Sequence, residues 1–184
     1  MIIYIHGFGS SGQANKAKLF RNYFRSIKQN FIAPSLSYVP NLAISTLEEL
    51  IESYDEDIYL IGSSLGGYYA TYLSQNIKVK KVVLINPAVI PTNTLQKSLG
   101  VAINFYDNST YDWNEEHLQM LHNYNTTTID KNKFMVLLQK GDEVLNYKDS
   151  LDKYDETNII LEDGGDHGFK DIQNHFENIK GFLC

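Results

Sequence analysis

The sequence predicts an α/β fold: a mostly parallel sheet of about six strands with helices on both faces. Three observations carry this reading. Short continuous Val/Ile/Leu runs recur along the chain. Stretches with helical spacing of apolar residues separate them. Several of the runs end in Gly-, Pro- or Asp-bearing loops. Continuous apolar strands are those buried on both faces, which requires helices above and below a parallel sheet.

The elements follow in order. Ile2–Ile5 is a β-branched and aromatic run ending in His6–Gly7, followed by a Gly/Ser loop from Gly9 to Gly12. The segment 14–28 reads as a helix with Ala17, Phe20, Phe24 and Ile27 on one face. Phe31–Ala33 is a brief strand stopped by Pro34. Ser45, with Glu48 three residues on, has the spacing of a capping box and predicts a helix starting there and running to about Tyr54. Ile58–Ile61 is a strand that leads directly into Gly62–Ser63–Ser64–Leu65–Gly66–Gly67, and a helix is expected over 68–75. Lys81–Ile85, Phe134–Leu138 and Asn158–Leu161 are the remaining strands, and a last helix is expected over 171–182. Between them, residues 88–133 form a Tyr-, Asn- and Thr-rich stretch with no clear strand, helical only at 114–122. It reads as an insertion over the sheet of a single domain spanning 1–184, with a small or absent cap.

Length and charge narrow the function classes. A chain of 184 residues has the length of one ordinary domain. Its formal net charge of −6 argues against a nucleic-acid partner, since phosphate binding needs clustered Lys and Arg. The one basic cluster, Lys78 to Lys81, reads as a solvated strand entry. The single cysteine, Cys184, rules out an intramolecular disulfide and Cys/His metal spacing. No signal-peptide pattern and no apolar run of about 20 residues is present, so no membrane partner and a cytoplasmic location are expected.

Gly62–Ser63–Ser64–Leu65–Gly66 matches the G-x-S-x-G nucleophile elbow, with a strand before it and a helix after it, as that motif requires. The glycines permit a tight strand-to-helix turn that lifts the Ser64 hydroxyl clear of the sheet. A serine hydroxyl needs a base to take its proton and an acid to orient that base. Of five histidines, only His167 follows a strand in a Gly-rich loop. His6 precedes the elbow and is expected to brace its own loop. The acid expected is Asp142, just past the strand before the one leading to His167. Glu143 beside it is expected to point elsewhere, and Asp163 and Asp166 lie too near His167 in sequence to brace it from another strand. Backbone N–H groups of Phe8 and Leu65 are the expected oxyanion donors. The pattern requires no metal or cofactor.

Five segments together resemble one family. His6–Gly7–Phe8, Gly62 to Thr71, Asn86–Pro87–Ala88–Val89, Gly141 to Leu145 and Gly164–Gly165–Asp166–His167 are similar, nearly end to end and in order, to the YqiA-like bacterial esterases. The resemblance implies a three-layer α/β-hydrolase fold acting on acyl esters or acyl-CoA thioesters, with triad roles at Ser64, Asp142 and His167. The least similar stretch, 92–130, is where an acyl pocket would be shaped. Its Asp107, Asp112, Glu115 and Glu116 outnumber Lys97, which points to neutral, short acyl esters over anionic ones, unless these acids lie on a solvated face. A thioesterase, a peptidase and a non-catalytic binding protein on the same fold are the competing readings.

Overall fold

The computed structural model describes residues 1–183, so Cys184 lies outside the described residues. Six parallel strands form the main sheet: β1 (Ile2–Ile5), β2 (Phe31–Ile32), β3 (Ile58–Ser63), β4 (Val79–Ile85), β7 (Phe134–Gln139) and β8 (Asn158–Glu162). Their order is β2-β1-β3-β4-β7-β8, and each neighbouring pair is parallel. These are the six expected runs, lengthened by one to two residues at several ends and shortened at β2, which stops at Ile32 before the expected Ala33. The inner ones were legible because each contains an unbroken buried apolar run, as at Val82–Ile85 and Phe134–Leu138.

Alternation along the strands divides the core in two. Ile2, Tyr4, Ile61, Val83, Ile85 and Leu137 face one cluster with α1 (Asn15–Ser26) and α7 (Phe176–Leu183). Ile3, Ile5, Leu60, Leu84 and Val136 face the other, with α2 (Pro40–Glu52) and α3 (Leu65–Leu73). Phe20 and Phe24 of α1 are fully buried. The result is the helix–sheet–helix layering expected.

Some local expectations are corrected. The second helix begins at Pro40, with Val39 as its N-cap, not at Ser45. Proline suits the first helical turn, where its missing N–H costs nothing, so Ser45 and Glu48 are interior residues. The last helix is split: residues Ile172–His175 form a 3-10 turn before α7. A helix that was not expected, α6 (Tyr147–Lys153), starts at Asn146, whose side chain accepts from Lys148 N.

The 88–133 stretch is more structured than its sequence suggested. After α4 (Pro91–Leu95) it forms an antiparallel pair, β5 (Gly100–Ile103) and β6 (Thr110–Trp113). The expected helix follows as α5 (Glu115–His122). Its N-cap Asn114 accepts from His117 N, while the His117 ring accepts from Asn114 N. The stretch packs onto the loop after β1: Phe105 N donates to Gly9 O at 2.7 Å, and Trp113 stands edge-on to Phe8 at 4.8 Å. It is a small cap seated beside the site.

Candidate active site

In an open parallel sheet, ligands bind beyond the carboxyl ends of the strands, where the strand order reverses. Here the chain runs outward from β1 to β2, then returns to β3 and proceeds the other way. The loop after β1 carries Phe8, and the turn after β3 carries Ser64 and leads into Leu65, the first residue of α3. Asp142 follows β7 and His167 follows β8. The topology therefore delivers all five expected residues to one end of the sheet.

Ser64 sits at φ 56°, ψ −121° immediately before α3. A positive φ is costly for a residue with a Cβ, and the surroundings impose it. A Cβ at Gly62 would overlap the Gly66 carbonyl, and one at Gly66 would overlap the Ile5 carbonyl. The two glycines let strand, turn and helix pass at backbone contact. Ser64 N donates to Ile85 O at 3.1 Å, and Ala88 N donates to Ser64 O at 3.0 Å. These bonds tie the turn to the end of β4.

His167 Nε2 lies 2.9 Å from Ser64 Oγ. His167 Nδ1 lies 2.9 Å from Asp142 Oδ2 and 3.0 Å from Oδ1. The Asp142 side chain is 2% exposed, and its Oδ1 also accepts from Val144 N and Leu145 N at 2.9 and 2.8 Å. Burial pushes this carboxyl pKa up, but hydrogen bonds from His167, Leu145 and Val144, with the nearby imidazole, outweigh it and hold it below the usual value. Glu143 turns away from the ring and accepts from His167 N at 3.0 Å. Asp163 pairs with Lys140 at 2.6 Å.

Two buried amides, not anticipated from the sequence, hold the His167 loop. Asn86, 2% exposed, donates through Nδ2 to Asp166 O at 3.0 Å and His167 O at 3.3 Å. Gln139, 3% exposed, accepts through Oε1 from Asp166 N and Lys170 N at 3.1 and 2.8 Å. Its Nε2 donates to Lys170 O and Glu162. A Cβ at Gly165 would strike the Gln139 side chain, which explains a glycine two residues before His167.

The His6 ring braces the first loop, as expected. Leu36 N donates to Nε2 at 3.0 Å, so Nδ1 carries the proton that goes to Gly7 O at 2.9 Å. Burial lowers its pKa, against a smaller opposite effect of the Gly7 carbonyl. Phe8 N–H and Leu65 N–H donate to no protein group among the described residues.

Lys16 was also missed. From α1 its Nζ donates to Ser63 Oγ at 2.7 Å. Burial lowers its pKa to about 8, although Asp166 and Asp142 pull it upward. An unfolded lysine titrates near 10.4. Below about pH 8 both states hold the proton and the folded state bears the desolvation cost. Between about 8 and 10.4 the folded state sheds it first, so this group's contribution to stability rises with pH. Lys16→Met is therefore expected to raise the unfolding free energy by about 1–2 kcal/mol at pH 7. The gain should shrink toward zero at pH 10, as read by urea denaturation at both pH values.

Ser64, Leu65, Phe8 and His167 open onto a cavity of about 250 Å³, walled by Ala88, Pro91, Leu95, Phe105, Val144 and Leu145. None of Asp107, Asp112, Glu115 and Glu116 lines it. Among the described residues, no three His, Cys, Asp or Glu side chains are grouped to hold a metal ion. No helix among them is long and apolar enough to cross a membrane.

A serine on a strand-to-helix elbow, hydrogen-bonded to a histidine and through it to an aspartate beyond later strands, defines an α/β-hydrolase fold. Solved structures agree on the fold. A protein from Agrobacterium vitis S4 superposes with a TM-score of 0.80 at 17% identity, over 100% of this chain and 87% of the other. Mouse alpha/beta hydrolase domain-containing protein 10 gives a TM-score of 0.75 at 19% identity, over 98% of this chain and 86% of the other.

More particularly, the chain belongs to the uncharacterised protein family UPF0227, whose model matches residues 1–184. UPF0227 protein YcfP from Escherichia coli O9:H4 is 26% identical over 189 residues, covering 99% of this chain and 98% of its own. The resemblance read from the five motifs holds at the level of this family and of its fold.

Proposed function

We propose that this protein is a serine hydrolase that cleaves short, neutral acyl esters. The observation that carries the proposal is the continuous hydrogen-bonded chain Ser64–His167–Asp142, with both links at 2.9 Å. In this reading His167 Nε2 takes the proton of Ser64 Oγ as that oxygen attacks the ester carbonyl. The N–H groups of Phe8 and Leu65 hold the resulting oxyanion. The intermediate collapses, the acyl C–O bond breaks, and His167 gives its proton to the departing alcohol. Water then attacks the acyl–Ser64 ester by the same steps, releasing the carboxylic acid and the free serine. Asp142 holds the imidazole in the tautomer that accepts at Nε2 and stabilises the imidazolium.

The cavity supports the substrate class. A volume of about 250 Å³ lies below the usual range of ligand cavities, roughly 300–1,000 Å³. Its walls beyond the triad are uncharged and mostly apolar. The preference for neutral esters thus rests on a lining without cations, and not on the acids of the 92–130 stretch, which lie outside the cavity. Burying an acyl group that carries a free carboxylate against such walls would go uncompensated.

A fluorophosphonate probe is expected to label Ser64, as read by mass spectrometry of the digested protein. p-Nitrophenyl butyrate should be hydrolysed with kcat/KM at least about tenfold above p-nitrophenyl laurate and above butyryl-CoA. Labelling elsewhere, or acyl-CoA turnover well above that of the short ester, would overturn the respective half of the proposal.

A further inference from the structure

A second cavity, of about 320 Å³, abuts the first. The two share Phe8 and Leu65 as wall residues. The second also reaches Gly7, where a Cβ would stand 3.5 Å from Ser64 Oγ. An ester held at Ser64 with its carbonyl oxygen toward Phe8 N and Leu65 N therefore has a separate chamber for each of its two halves.

The two linings differ in chemistry. The first is mostly apolar. The second is walled by the rings of Tyr38, Tyr69 and Tyr111 and by the hydroxyl residues Ser10, Ser109 and Thr110. None of its wall residues is Lys, Arg, Asp or Glu, and His6 is disfavoured as a cation by its burial. A phosphorylated or carboxylated group would meet no counter-charge there.

Two details mark a site built for a neutral hydroxylated group. Tyr38 is 44% exposed and stacks on Tyr111 with centroids 4.4 Å apart and planes 18° apart, forming an aromatic wall at the rim. The Tyr111 hydroxyl is buried without a hydrogen-bond partner among the described residues, and burial pushes its pKa up to about 12, so it stays a donor. A buried hydroxyl without a partner costs free energy, which an acceptor in the chamber restores when the Tyr38–Tyr111 wall gives enough to admit it. Aromatic faces beside neutral hydroxyls suit a compact polyol, which packs its C–H groups on rings and exchanges hydrogen bonds at its edges.

We infer that this chamber binds the alcohol half of the substrate, and that this alcohol is a neutral polyhydroxylated group of monosaccharide size. The inference rests on the serine-hydrolase reading and adds the identity of the leaving group. In the reaction the acyl C–O bond to the sugar oxygen breaks and that oxygen takes the proton from His167. The free sugar leaves and the acyl group stays on Ser64 until water removes it as the carboxylic acid.

The test compares 6-O-acetyl-glucose with ethyl acetate, which carry the same acyl group. The ratio of their kcat/KM values is expected to be at least about tenfold in favour of the sugar ester. Tyr111→Phe should lower that ratio by about fivefold and Tyr38→Ala by about tenfold, with thermal melts confirming that both variants fold. A ratio near one in the unaltered protein, or one that neither variant moves, overturns the inference. A second measurement needs no turnover: saturation-transfer NMR of methyl glucoside with the Ser64→Ala protein should show binding that Tyr38→Ala weakens. Binding without hydrolysis of either ester would sustain the chamber and sink the hydrolase reading. Ester hydrolysis by the unaltered protein without such binding would sink the chamber alone.

Discussion

Ser64→Ala is expected to reduce kcat for p-nitrophenyl butyrate by up to about 10⁶-fold, the scale of losing a triad serine. Neighbouring Ser63→Ala should cost less than about tenfold. The contrast is informative because the two serines are adjacent and only geometry separates them. Ser63 is 5% exposed, turned into the core and held by Lys16. Ser64 faces the cavity and His167. A second consequence follows from the Ser64 φ of 56°. Ser64→Gly should also abolish turnover, yet raise the unfolding free energy by about 1 kcal/mol, because glycine adopts that conformation without strain. Ser64→Ala keeps the strain and gains nothing of that kind. Activity assays and urea denaturation on the three variants separate these effects. Retained turnover in Ser64→Ala would remove the basis of the proposed mechanism.

The residues legible in the sequence share a physical property: their chemistry is local. The inner strands announce themselves because burial on both faces leaves unbroken apolar runs, as in Val82–Ile85 and Phe134–Leu138. The elbow is legible because its glycines are forced by contacts within a few residues and by the first strand. His6 was readable as a brace from its place at a strand end. What the sequence concealed depends on partners far along the chain. Asn86 and Gln139 look like ordinary polar residues until their partners, 23 to 81 residues away, are known. Lys16 carried a signal that went unused, a lysine beside the apolar stripe of α1. The β5–β6 pair was hidden because two four-residue strands are too short to show a period. The six residues joining them lack the two-residue turn that marks a tight hairpin. At α2, a capping-box pattern at Ser45 competed with Pro40, and proline's fixed φ decided the start of the helix.

Asp142→Asn should lower kcat by about 10⁴-fold, and the reason lies in the direction of one hydrogen bond. Asp142 offers only acceptors to His167, so Nδ1 must carry the proton and Nε2 is free to accept from Ser64. Asparagine can still accept from Val144 N and Leu145 N with its carbonyl oxygen, so the turn after β7 survives. Its amide nitrogen then faces His167, and the favoured tautomer moves the imidazole proton to Nε2. A protonated Nε2 cannot take the proton of Ser64. Glu143→Gln supplies the control, because among the described residues Glu143 binds only the His167 backbone N–H, and glutamine retains an oxygen for that bond. Its kcat is expected to stay within about threefold, with a melting temperature close to that of the unaltered protein. Equal losses in the two variants would mean that the loop's position, and not the ring's tautomer, limits the reaction. A large loss confined to Asp142→Asn assigns the orienting role to the buried carboxylate beyond β7.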